Sequence, residues 1–207
     1  MTKENDSNNP DGEEHEPFEP FEEDFDEFEE LSWLPDLIDK SDLEVPRELH
    51  SCFSNAPFKN CIECGSEIVE SGTTYVIQKA RRNGETVLEL AICMDCAHSM
   101  QDTMSLESKK TMEKFLSELM PKAENHPEGC CLSCSRSVDA SEDEYEIAGL
   151  ALGPMLLSPP ILFCVDCHEE LEKNLSEETR RGGEDFIEKN FPGIPADFGL
   201  PISFLGG

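Results

Sequence analysis

The chain has 207 residues, a net charge of −30 and 37% apolar residues, below the roughly 45–50% usual for globular domains. That balance argues against a general nucleic-acid binder, which needs a basic face to displace counterions from phosphates. No stretch approaches the roughly 20 apolar residues of a membrane span. The acidic N-terminus also lacks the apolar core of a secretory signal, so a cytoplasmic protein with reduced cysteines is expected.

Residues 1–45 hold 18 acidic and 2 basic side chains, and like charges resist collapse, so a disordered acidic arm is expected. Phe18, Phe21, Phe25 and Phe28 recur every three or four residues among the acids. The arm reads either as a solubilising tail or as a short motif that folds against a partner or against this protein's own domains. From Leu31 to Leu43 the apolar residues Trp33, Leu34, Leu37 and Ile38 predict a short helix, capped by Ser32 with Pro35 in its first turn.

A first module is expected over 46–125. Cys61-Ile62-Glu63-Cys64-Gly65 has the form of a zinc knuckle, in which Gly65 allows a tight turn. Thr73 to Lys79 and Thr86 to Ile92 are β-rich, and the Asn83-Gly84 pair between them is the strongest short signal for a hairpin. The second strand runs into Cys93. After Cys96 the pattern turns helical through Ala97, Met100 and Met104. A second helix carries Met112, Phe115, Leu116 and Leu119 until Pro121.

A second module is expected over 126–207. Its knuckle is Cys131–Cys134, and its strands are Tyr145 to Leu150 and Ile161 to Cys164. A helix from near Cys164 carries Leu171 and Leu175, and a shorter one carries Phe186 and Ile187. The intervening stretch Gly149 to Pro160 is uncharged and apolar. The end, Phe191 to Gly207, is expected to pack as an apolar strap.

The two modules are copies. Adding 71 to Cys93 and Cys96 gives Cys164 and Cys167, and the same step takes Ser105 to Ser176 and Phe115 to Phe186. The first pairs, Cys61/Cys64 and Cys131/Cys134, differ by 70. A unit of about 60 residues buries a poor fraction of its surface and commonly needs a metal or disulfides. Four thiolates spaced as two Cys-x-x-Cys pairs suit Zn²⁺, with iron as the alternative. Two structural Zn²⁺ ions are therefore expected, held by Cys61, Cys64, Cys93 and Cys96 and by Cys131, Cys134, Cys164 and Cys167.

Knuckle, hairpin, then a helix whose first turn supplies the second pair: this order resembles the treble-clef zinc finger. Rubredoxin-like and zinc-ribbon proteins share the spacing, but their second pairs are usually knuckles followed by Gly. Here Ala97 and His168 follow. The fold class expected is small, metal-stabilised α+β, with two tandem treble-clef-like modules behind a disordered arm.

Cys52 and Cys130 are surplus. Cys130 would replace Cys131 after a one-residue slip, although the repeat favours Cys131. His98 and His168 stand near the second pairs as alternative ligands. Arg81-Arg82, Lys109-Lys110 and Arg180-Arg181 read as phosphate grips or, better, as solvated faces and intrachain partners. A four-cysteine site leaves no open metal position, and no catalytic set stands out. The function expected is a non-enzymatic adaptor or regulatory protein. It would engage another protein through the acidic Phe-rich arm or the apolar 149–160 loop. A thiol-redox or metal-handling protein and a nucleic-acid-associated regulator are the alternatives.

Overall fold

The computed structural model describes residues 44–123 and 126–194. The Phe-rich arm, the helix expected over Leu31 to Leu43 and the strap beyond Ile194 lie outside the described residues. In chain order the elements are β1 (Thr74–Arg82), β2 (Glu85–Cys93), α1 (Met94–Asp102), α2 (Leu106–Ala123), β3 (Tyr145–Leu152), β4 (Met155–Leu156), β5 (Ile161–Cys164), α3 (Val165–Lys173) and α4 (Glu177–Asn190). A short 3-10 turn, Arg47–Leu49, precedes them. The result is a small α+β fold around an antiparallel sheet.

Chain chemistry explains the first hairpin. β1 and β2 are rich in β-branched and aromatic residues, which fit a pleated, packed surface. Asn83 at φ 50° and Gly84 at φ 79° take the left-handed conformations that the two-residue hairpin turn requires. In the second repeat the hairpin is longer. β3 continues to Leu152, where the expected strand stopped at Leu150. It then folds back as β4, with Ala151 opposite Leu156 and Leu152 opposite Met155.

The repeats expected as modules 46–125 and 126–207 share one sheet. β1 and β3 pair antiparallel from Thr74 opposite Leu152 to Arg81 opposite Tyr145. β2 lies outside β1, with Tyr75 opposite Cys93. β5 lies outside β3, with Tyr145 opposite Cys164. The ladder is symmetric under the repeat. Tyr75 faces Ala151 while its copy Tyr145 faces Arg81, the copy of Ala151. A pseudo-twofold axis therefore crosses the sheet at the Gln78–Ala148 pair, where a residue lies opposite its own copy.

Alternation along the strands sorts the two faces. One face carries Tyr75, Ile77 and Lys79 and is covered by the segment before the first knuckle, where Leu49 is fully buried. Gly149 allows that approach, since a Cβ there would lie 2.7 Å from Leu49 Cδ1 and 2.8 Å from Leu156 Cδ1. The other face carries Gln78, Glu146 and Phe163 and receives the helices. The Phe115 ring of α2 meets Phe163 of β5 at 6.0 Å between centroids. Burial on both faces accounts for the continuous apolar run of β1, and each buried Ile or Leu side chain contributes roughly 1.5–3 kcal/mol.

The helices also meet on the axis. Ser176 caps α4 by accepting from Thr179 N, and Ser105 accepts from Ser108 N at the start of α2. The two cap hydroxyls, Ser105 Oγ and Ser176 Oγ, bond each other at 2.8 Å. Ser105 N donates to Thr179 Oγ1 at 3.1 Å, and Ser176 N donates to Ser108 Oγ at 2.9 Å. These two bonds are images under the 71-residue step.

Two helix lengths differ from expectation. α2 continues past Pro121 to Ala123, where the proline removes only one donor close to the end of the helix. α4 runs for 14 residues through Gly182-Gly183, although each glycine costs roughly 0.5–1 kcal/mol in a helix. Packing of the buried Gly183, Phe186 and Ile187 offsets that cost.

Candidate metal centres

Each cysteine group is assembled from three local pieces. In the knuckle, Gly65 N donates to Cys61 O at 2.9 Å and Cys61 N to Ser66 O at 2.8 Å. The second knuckle repeats this, with Ser135 N to Cys131 O at 2.7 Å and Cys131 N to Arg136 O at 2.8 Å. Each knuckle is tied to its own sheet edge, Ile62 N to Ala91 O at 2.9 Å and Leu132 N to Leu162 O at 2.8 Å. β2 ends on Cys93 and β5 on Cys164, and these residues occupy the N-cap positions of α1 and α3. Cys96 and Cys167 follow in the first helical turn.

The sulfurs converge. Within Cys61, Cys64, Cys93 and Cys96, and within Cys131, Cys134, Cys164 and Cys167, the ligand atoms lie within 4.8 Å of one another. Cys64 Sγ and Cys93 Sγ are 3.9 Å apart, and Cys134 Sγ and Cys164 Sγ are 3.8 Å apart. A tetrahedron with metal–sulfur bonds of about 2.3 Å has edges of about 3.8 Å. A disulfide needs about 2.05 Å, and all ten cysteines are free thiols. The two groups could hold metal ions, and they contain no disulfides.

Burial grades the thiols alike in both groups. The first and third cysteines are buried, the second is exposed and the fourth is half-buried. Cys64 is lowered to about 6, chiefly by the Ser66 hydroxyl and then the Ser66 N–H. Cys134 is lowered to about 7, chiefly by the Arg136 N–H. Burial raises Cys96 and Cys167 above the usual thiol range. Backbone N–H donors at the sulfurs, such as Cys93 N to Cys61 Sγ at 3.4 Å, suit a centre that carries net negative charge.

The other candidates stand elsewhere. Cys130 forms a bridge with Ser137, as its counterpart Asn60 does with Glu67. Cys52 is exposed, with its sulfur 3.5 Å from Lys79 Nζ. His98 is exposed, and His168 is buried with Nδ1 3.5 Å from Glu146 Oε1. Neither histidine belongs to a four-sulfur group. Among the basic residues, Arg81 Nη2 donates to Gly84 O, Arg82 pairs with Glu144, Lys109 with Asp102 and Arg181 with Glu177.

Sequence reasoning missed two buried polar clusters. Lys79, 2% exposed, pairs with its cross-strand neighbour Glu89 at 3.2 Å and also donates to His50 O. Glu89 in turn accepts from Ser51 Oγ and Cys52 N. The cluster fastens the segment before the first knuckle to the sheet. On the opposite face Gln78 Nε2 donates to Glu146 Oε2 at 2.7 Å, beside His168. Only the mid-strand charges of Lys79, Glu89 and Glu146 hinted at either cluster.

Comparison with protein-family models, with curated proteins and with solved structures returns no match. Among the described residues no helix is long and apolar enough to cross a membrane.

Proposed function

We propose that the protein is a non-enzymatic zinc protein, a two-centre scaffold of treble-clef-like modules that presents surfaces to another protein. The observation that carries this reading is the pair of complete four-sulfur groups. Four thiolates fill a tetrahedral Zn²⁺ shell, so no position is left for substrate or activated water. Such a centre serves folding, and the binding surfaces are then the acidic Phe-rich arm and the apolar hairpin around β4. In that hairpin Met155 and Leu157 are exposed.

Elemental analysis and native mass spectrometry of the full chain test the metal claim. Two zinc ions per chain are expected; one ion, none or an iron spectrum refutes it. Affinity capture tests the adaptor claim, comparing the full chain with one lacking residues 1–45. Partners held by the full chain and lost from the shorter one support the arm as a docking motif, and identical capture refutes that role.

A second reading, thiol-redox or metal handling, draws on one observation. Each group offers one exposed cysteine with a lowered pKa, Cys64 and Cys134. Such thiols are where an oxidant would first meet a metal centre.

A further inference from the structure

The two knuckles are held by the opposite repeats. In the first, Glu63 lies between Cys61 and Cys64. Its carboxylate accepts from Lys189 Nζ and, at 3.3 Å, from Asn190 Nδ2, both in the last turn of α4. In the second, Ser133 lies between Cys131 and Cys134. Its carbonyl accepts at 3.0 Å from Lys122 Nζ, in the last turn of α2. Positions 63 and 133 are copies under the 70-residue step. Each long helix therefore starts at the shared Ser105/Ser176 cap and ends on the other repeat's knuckle.

The second cysteine pairs are crossed in the same way. β5 delivers Cys164, and its preceding residue Phe163 packs against Phe115 of α2. β1 flanks the strand that delivers Cys93, and β1 is itself paired along its length to β3 of the other repeat. Neither four-sulfur group keeps all its supporting contacts if the other repeat opens.

We infer that the two centres load and release metal as a coupled pair, with Glu63, Lys189, Asn190 and Lys122 as positioning residues that belong to both centres. This inference rests on the zinc reading given above. The magnitudes divide the work. Lys189 and Glu63 are 60% and 27% exposed, and an ion pair that open to solvent adds little by itself. The β1–β3 ladder and the common core carry most of the coupling, and the crossing helix ends direct it to the knuckles. Metal binding is expressed as folding free energy in small metal-dependent folds. An ion bound at one group therefore orders the sheet that the other group needs.

The test uses the full chain loaded with zinc, from which zinc is withdrawn stepwise by a competing chelator and the species are resolved by native mass spectrometry. Independent equal sites at half loading would place about half of the molecules in the one-zinc form. Coupling predicts a one-zinc form well below that share, with the apo and two-zinc forms dominant. In the second arm, Cys64→Ser removes a ligand from the first group. The zinc left at the second group should then be withdrawn at a chelator concentration on the order of tenfold lower than in the unaltered chain.

A one-zinc form at or above the independent share overturns the inference, as does zinc retention by the Cys64→Ser chain equal to that of the unaltered second group. The withdrawal series on the unaltered chain decides the matter even if the variant does not fold. Two zinc ions that leave independently refute the coupling alone. A chain that binds no zinc refutes the zinc reading and the coupling together.

Discussion

Lys79 and Glu89 offer the sharpest test of how the first centre is supported. Lys79 is 2% exposed and Glu89 15%, so neither charge is well solvated. The three donors of the ammonium are occupied by His50 O, Cys52 Sγ and the Glu89 carboxylate. Removing one partner of a buried pair typically costs about 3–5 kcal/mol, because the other charge stays buried. Lys79→Met keeps the stem packing and leaves Glu89 with its donors from Ser51 and Cys52, which places the expected loss near 3 kcal/mol. Glu89→Gln leaves the less exposed ammonium unmatched and should cost at least as much. The double variant should cost less than the sum of the two, with a coupling on the order of 2 kcal/mol. Burial opposes the charged form of Glu89, yet the Cys52 N–H, the Ser51 hydroxyl and Lys79 together hold its pKa below the usual carboxylate range. A depressed carboxylate contributes stability above its unfolded pKa of about 4.3 and loses it as pH falls through the folded value. The Glu89 contribution is therefore intact at neutral pH and disappears in acid. Denaturant unfolding of the metal-loaded full chain at pH 7 measures all three variants. Single losses under about 1 kcal/mol, or single effects that simply add, would refute the buried-clamp reading.

Ser135 sits at φ 61° where its counterpart Gly65 sits at φ 74°, so Ser135→Gly should raise thermal stability by roughly 1 kcal/mol, and unchanged or lowered stability would count against that strain. Gly149→Ala places a methyl group against Leu49 and Leu156; a loss of about 1–3 kcal/mol is expected in denaturant unfolding, and a neutral result would mean that both leucine tips swing aside freely. Metal uptake needs thiolates, while burial holds Cys96 and Cys167 in the protonated form. Zinc binding at pH 7 should therefore release protons, and apparent affinity in chelator competition should fall by at least about tenfold per pH unit below neutrality; a flat profile would argue against thiolate ligation.

The two four-sulfur groups are legible in the cysteine spacing alone. The Asn83-Gly84 turn and the helical restart after each second pair indicate the order of elements. Those signals are local: a turn needs particular backbone angles, and two sulfurs three residues apart converge on a knuckle or on the first turn of a helix. The pairing of β1 with β3 is not local. It depends on both faces of each strand being covered, and an apolar run such as Tyr75-Val76-Ile77 does not name the strand it will meet. Lys79 comes two residues after that run and reads as an edge or solvent residue until Glu89 and the 50–52 segment close over it. The length of α4 is hidden for a related reason. Gly182-Gly183 lowers local helix propensity, and the tertiary packing of Phe186 and Ile187 outweighs it.

The repeat sharpens the distinction between what the fold requires and what one half alone does. The ladder register, the reciprocal serine caps and the knuckle hydrogen bonds obey the pseudo-twofold and are what two joined copies need. Elsewhere the copies diverge. Gln78, Glu146 and His168 form a buried polar cluster where the related positions are Ala148, Val76 and Ala97, all buried and apolar. An apolar trio satisfies that layer of the core in one half, so packing alone does not require the polar one. Burying a polar side chain without its hydrogen bonds costs about 1–3 kcal/mol, and the Gln78–Glu146 bond at 2.7 Å relieves part of that cost. Glu146 and His168 also join β3 to the first turn of α3, immediately beside Cys167. The second centre thus has a polar contact beside Cys167, where the related positions of the first are the buried apolar residues Val76 and Ala97. The two groups share one ligand geometry, and the residues packed around them differ.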